Sequence, residues 1–231
     1  MKHVSRRPTT RPHKRPAMRR PLSEPLGGDL TDFETFVQSQ QPATTPWTPI
    51  TDYRLEARRA VEGRHPQLIQ EVFQPTSVLD AGCGPDGILV KLLYELGIEA
   101  RGFDPLIVTP SVKPHLFNGI LSASPPVMSR DADLVVCREV LEHLTVLEIV
   151  EAVRTLCALT TRFVYVTTRF SSEHDLLRVA TRDDLDPTHI SLPSKDFVRL
   201  LFVLEGLRQR ADLENRMDHL KKERVLVYEW S

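Results

Sequence analysis

Residues 78–87 read VLDAGCGPDG, and residues 99–104 read EARGFD. The first stretch is a short apolar run, beginning at Ser77, that breaks into a glycine-rich turn. The second is another short run that ends on an acid. Between them, ILVKLLYELG (88–97) repeats leucine at helical spacing, with Leu89, Leu92, Leu93 and Leu96, and stops at Gly97. Strand, glycine turn, helix, strand is the opening unit of a sheet with parallel strands.

The pattern continues outward. ADLVVC (132–137), RFVYVTT (162–168) and RVLVYEW (224–230) read as strands by their β-branched and aromatic content. Helices are expected over 145–159 and 194–205. Upstream, DYRLEARRAVEGRHPQLIQEVF reads as helical with a break before Pro66. Residues 105–130 are proline-rich, with a weak strand near HLFNGIL. Alternation of this kind predicts an α/β fold of three layers, Rossmann-like, with a mostly parallel sheet. Ligands of such sheets bind outside the carboxyl ends of the strands. Asp80, Asp104 and Glu139 all stand at predicted strand exits, so they are expected on one rim.

Composition narrows the context. No apolar run approaches the roughly 18 residues that a membrane helix needs. Cys83, Cys137 and Cys157 show no CxxC spacing, which points to a reducing, cytoplasmic compartment rather than a disulfide scaffold. Net charge is −1, yet residues 1–23 carry eight lysines and arginines and no acid. With eight prolines in the first 50 residues, residues 1–45 read as a disordered basic arm and linker, and 46–231 as the folded domain. The arm is open to three readings: a tether for nucleic acid, a transit peptide, or a solvated tail. Pro8, Pro12 and Pro16 count against the second, because they break an amphipathic helix.

Gly82, Gly84 and Gly87 form a GxGxxG that fits a dinucleotide as a bare pattern. Asp80 separates the cofactors. Two residues before the first glycine, it would repel a pyrophosphate but attract the ammonium and sulfonium of S-adenosylmethionine. At contact distance that attraction is about 4 kcal/mol at an effective dielectric near 20, before desolvation.

VLDAGCGPDG, GFDP and ADLVVCREVLEHL together resemble the core of class I S-adenosylmethionine-dependent methyltransferases, over about residues 76–169. The resemblance implies a seven-stranded sheet with an antiparallel last strand. It also implies that Asp80, Gly82, Cys83 and Gly84 line the methionine end, that Asp104 holds the ribose hydroxyls, and that Glu139 joins the cofactor shell. The adenine contact has no clear counterpart, with Asn118 and Ser122 as the residues on offer.

In CREVLEHL (137–144), Glu139, Glu142 and His143 stand at i, i+3 and i+4. On a helix they would share one face, and a cation between the carboxylates would relieve their repulsion. EVLEH with a later histidine is similar to ubiquinone-pathway O-methyltransferases and small-RNA 3′-end methyltransferases. That likeness implies a divalent metal such as Mg²⁺ on Glu139, Glu142, His143 and His189, with Asp186 as an alternative to the last. Without a metal, His143 or His189 would serve as base, with Glu142 beside it. Thr167, Thr168 and Arg169 end a strand at the same rim. The expected reaction is methylation of a hydroxyl on a small molecule. A nucleic-acid acceptor reached through the basic arm, and a binding subunit without activity, are the alternatives.

Overall fold

The computed structural model describes residues 63–112, 114–122, 130–171, 177–178 and 188–231. The basic arm, Tyr53, Arg54, Arg58, His174 and Asp186 lie outside these residues.

The chain enters at helix α1 (His65–Phe73) and passes to strand β1 (Ser77–Ala81) and helix α2 (Ile88–Glu95). Strands β2 (Glu99–Phe103), β3 (Ser111–Val112), β4 (His115–Phe117) and β5 (Ala132–Arg138) follow. A 3₁₀ turn at Leu141–His143 leads to helix α3 (Val146–Leu159) and strand β6 (Thr160–Thr167). The hairpin partners β7 (Leu177–Arg178) and β8 (Leu192–Pro193) come next. The chain closes with α4 (Lys195–Leu204), β9 (Leu207–Gln209), α5 (Ala211–Met217) and β10 (Val225–Trp230).

The main sheet runs β3-β4-β2-β1-β5-β6-β10-β9. Strands β4, β2, β1, β5 and β6 are mutually parallel, while β10 inserts antiparallel between β6 and β9. The α/β fold and the antiparallel last strand are as expected. The sheet has eight strands rather than seven because two-residue β3 pairs antiparallel on the outer edge of β4.

Side chains alternate across the sheet, and each face has its own core. Leu79, Val135, Val164 and Leu226 meet Ile149, Leu156, Val198 and Phe202 on the α3/α4 side. Val78, Val136, Tyr165 and Val227 meet Ile69, Leu93, Leu213 and Met217 on the other. Strands buried on both faces are nearly continuous in apolar residues, which is how ADLVVC and RFVYV read. Helix α3 starts where Thr145 and Glu148 cap each other reciprocally. From β1 the chain builds outward through β2 and β4 on one side, whereas β5 and β6 lie on the other. Strand direction of build-up reverses between β1 and β5, so the crevice at their carboxyl ends is the expected binding place.

Candidate functional site

The turn after β1 is held from below. Gly82 N and Cys83 N both donate to Phe103 O, at 2.8 and 3.1 Å. Gly82 has φ +84°, and a Cβ there would come within 2.4 Å of Val140 Cγ2. Backbone conformation and crowding both demand glycine at this point. Gly84 also has a positive φ, +72°, but a Cβ there would meet nothing within 4 Å. Open space therefore lies on the Cβ side of Gly84.

Asp104 borders that space. Its Oδ2 accepts from Gly84 N at 2.9 Å and its Oδ1 from Leu106 N at 2.8 Å. Burial raises its pKa above the ordinary carboxylate value, and the two amide donors oppose that shift. Each oxygen keeps a lone pair for a ligand hydroxyl. Asp80 is buried in β1, paired in register with Gly102 of β2 and Val136 of β5. Cys83 is half-buried beside the turn, and burial with the charges of Asp80 and Asp104 pushes its thiol far up, which keeps it protonated. Asn118 is exposed and donates to Pro105 O at 2.8 Å and to Ile107 O at 3.3 Å, so its amide fastens the loop after β2.

CREVLEHL does not form a helix on which the three polar residues would share one face. Glu139 takes φ +52°, a 3₁₀ turn follows, and α3 begins only at Val146. The i, i+3, i+4 face is therefore absent, and the three polar residues point to separate partners. Glu139 Oε2 lies 3.5 Å from the guanidinium of Arg224. Glu142 is fully buried: its Oε2 accepts from Thr168 Oγ1 at 2.6 Å, and its Oε1 has no hydrogen-bonding partner. Its backbone carbonyl accepts from Ile190 N and Ser191 N. Burial first, and the neighbouring Glu139 charge second, push the Glu142 carboxyl up to about 8. Glu142 is thus a tie between the exits of β5 and β6 and the segment that enters β8.

That tie sets the two histidines together. His143 Nδ1 lies 2.9 Å from Thr188 Oγ1 and 3.2 Å from Thr188 O. His143 and His189 meet edge to face, with ring centroids 4.8 Å apart. The Arg169 guanidinium stands 3.4 Å from His189 Nδ1. Among the described residues, no three histidine, cysteine, aspartate or glutamate side chains converge as a metal set would. The expected quartet of Glu139, Glu142, His143 and His189 does not come together as a ligand set, because Glu142 is engaged by Thr168, Glu139 by Arg224 and His143 by Thr188. These residues as placed do not fit a divalent metal.

Two partners escaped the sequence reading, Thr188 beneath His143 and Arg224 beside Glu139. Each had a local signal. Thr188 directly precedes His189, and Arg224 directly precedes the strand that lies beside β6.

A family model described as a methyltransferase domain matches residues 53–211. Among solved structures, the fold is similar to an S-adenosylmethionine-dependent methyltransferase from Archaeoglobus fulgidus. The TM-score is 0.56 at 15% identity, covering 74% of this chain and 94% of that one. A TehB-like S-adenosylmethionine-dependent methyltransferase from Corynebacterium glutamicum gives 0.54 at 16% identity, covering 88% and 100%. Human N-acetylserotonin methyltransferase in complex with S-adenosylmethionine gives 0.50 at 13% identity, covering 77% and 55%. No curated protein matches the sequence.

Proposed function

The chain belongs to the methyltransferase-domain family, and from that premise we propose that it methylates a hydroxyl oxygen of a small molecule. The observation that carries this reading is the open space over Gly84, bordered by Asp104, with Asp80 buried in β1 and His143 just past the end of the neighbouring parallel strand β5. When bound, S-adenosylmethionine supplies a methyl carbon made electrophilic by its sulfonium.

Asp104, held still by two amide donors, accepts from the ribose hydroxyls. Asp80, buried in β1, would attract the positive methionine end of the cofactor. Gly84 lets a ligand approach the backbone closely, as a side chain there would not, whereas Gly82 makes room for Val140. Cys83 lines the turn as a neutral thiol. Glu139, half-exposed beside Arg224, stands where cofactor and acceptor meet.

A neutral hydroxyl is a weak nucleophile, so its proton must leave as the carbon–oxygen bond forms. His143 Nδ1 lies against both Thr188 Oγ1 and Thr188 O, and the tautomer that serves as base is the one with its proton on Nδ1, shared with these two oxygens. Nε2 is then the basic atom of the ring. Thr188 holds that orientation, and His189 packs on the imidazole. Glu142 acts through position: protonated near neutral pH, it ties Thr168 to the segment that carries Thr188. No step here runs through a metal.

The test is calorimetry with S-adenosylhomocysteine, followed by transfer assays on hydroxylated aromatics and sugars with EDTA present. Binding of the cofactor product with activity retained in EDTA, and its loss in His143→Ala, is the expected result. NADH binding in its place, or activity restored only by Mg²⁺, would overturn the reading.

A further inference from the structure

One cavity of about 670 Å³ lies on the carboxyl rim, past β6, away from the glycine turn. Its walls come from the exit of β6 (Arg169, Phe170), the first turn of α4 (Lys195, Asp196, Arg199) and the approach to β10 (Lys222, Glu223, Arg224). Among the described residues, the lining holds five cations and two acids. That excess runs against the rest of the chain, which is net acidic once the basic arm is set aside. Asp196 Oδ1 lies 3.1 Å from Arg199, so that pair takes one acid and one cation out of the balance and leaves Arg169, Lys195, Lys222 and Arg224 against Glu223.

The walls are fixed to one another. Thr168 N donates to Arg224 O, and Ser171 N to Pro193 O. Lys195 Nζ donates to Glu223 O at 3.1 Å and lies over the Phe170 ring. Helix α4, ten residues long, begins in the cavity wall, where Ser194 Oγ accepts from Phe197 N, so its dipole adds to the positive field while that amide is already taken.

The cavity is joined to the site already described. Arg224 in its wall contacts Glu139, and Arg169 contacts His189. Strand spacing is about 4.8 Å, so the β6/β10 exits lie roughly 5–10 Å from the β5 exit where methyl transfer is placed.

We propose that this cavity binds an anionic group, carboxylate or phosphate, of the methyl acceptor. The inference rests on the methyltransferase reading and narrows its substrate class. The acceptor is a small molecule whose methylated hydroxyl lies roughly 5–10 Å from its anionic group. A half-open hollow set in an acidic body suits a compact anion better than a polyanion, which the surrounding acids would repel.

The experiment uses the full chain loaded with S-adenosylhomocysteine. Inorganic phosphate and, separately, acetate are titrated by calorimetry at constant ionic strength. At least one should saturate a single site in the millimolar range, and the tighter of the two distinguishes phosphate from carboxylate. Lys195→Ala and the exposed Lys222→Glu should each weaken that binding about tenfold, the loss of one charge-assisted contact, with S-adenosylhomocysteine affinity unchanged. Lys222→Glu changes an exposed side chain, so its folding is not in question. Non-saturating titration by both anions, with S-adenosylhomocysteine bound normally, overturns the anion pocket and leaves the methyltransferase reading standing. Failure to bind S-adenosylhomocysteine in the wild type sinks that reading instead. A short RNA oligomer that binds and is weakened by Lys222→Glu, while both anions fail to saturate, overturns the small-molecule assignment.

Discussion

Replacing Glu142 with glutamine should make the protein more resistant to alkaline unfolding. The carboxyl is fully buried, with Oε1 unpartnered and Oε2 bonded to Thr168. Its pKa rises from 4.5 to about 8. A carboxyl raised in the folded state contributes stability that is present below about 4.5 and is lost as pH climbs through about 8. The part of that window above pH 6.5 is the cleanest place to look. There the contribution of the depressed His65 no longer changes with pH, and the cysteines with raised pKa values begin to matter only above pH 9. From pH 6.5 to 8 the loss amounts to about 2 kcal/mol at 1.36 kcal/mol per unit. Glutamine keeps an acceptor for Thr168 and cannot ionise, so this loss disappears in the variant. Urea unfolding of both proteins at pH 6.5 and 8.5 measures it. With a slope of about 2 kcal/mol/M, the wild-type midpoint should fall relative to the variant by about 1 M between the two pH values. Midpoints that shift in parallel would refute the claim that Glu142 is protonated in the folded protein. A constant offset from burying the amide is compatible with it.

The two glycines of the turn should fail differently. Gly82→Ala destabilises the fold, because its Cβ meets Val140 as well as an unfavourable φ, and Val140→Ala should recover part of the loss in a thermal melt. Gly84→Ala has only the φ penalty of about 1 kcal/mol, yet should weaken S-adenosylhomocysteine binding at least tenfold in calorimetry, since its Cβ fills the open space. Asp104→Asn should also lower that affinity tenfold or more, with a modest fall in melting temperature from replacing the acceptor of Gly84 N and Leu106 N. On the acid side, His65 is buried against Tyr165, with its pKa depressed to about 3. Its contribution is present above about 6.5 and is lost as pH falls toward 3, so His65→Phe should flatten the acid limb of a stability profile.

The strands and most helices were legible because their side chains repeat with the period of the element. ADLVVC and RFVYV are apolar on both faces, and α2, α3 and α4 stop or start at Gly97, Thr145 and Ser194. Short β9 and α5 were not, since LRQ and ADLENRM are polar in sequence. They are held by β10 and by Leu213 and Met217 against the core. At the site, Asp80, the glycine turn and Asp104 were readable because each sits at a fixed offset from its own strand, and backbone geometry carries it to the rim.

CREVLEHL was different. The sequence by itself determined that two carboxylates and an imidazole leave β5 within five residues, and that their neighbourhood is a strand rim. Only the tertiary structure decided what each one meets. A positive φ at Glu139 and a 3₁₀ turn send Glu142 into the core against Thr168, Glu139 outward to Arg224, and His143 to Thr188. Those partners lie 26 to 85 positions away along the chain. Local spacing orders side chains only along a regular element, and here the element ends before the residues that matter.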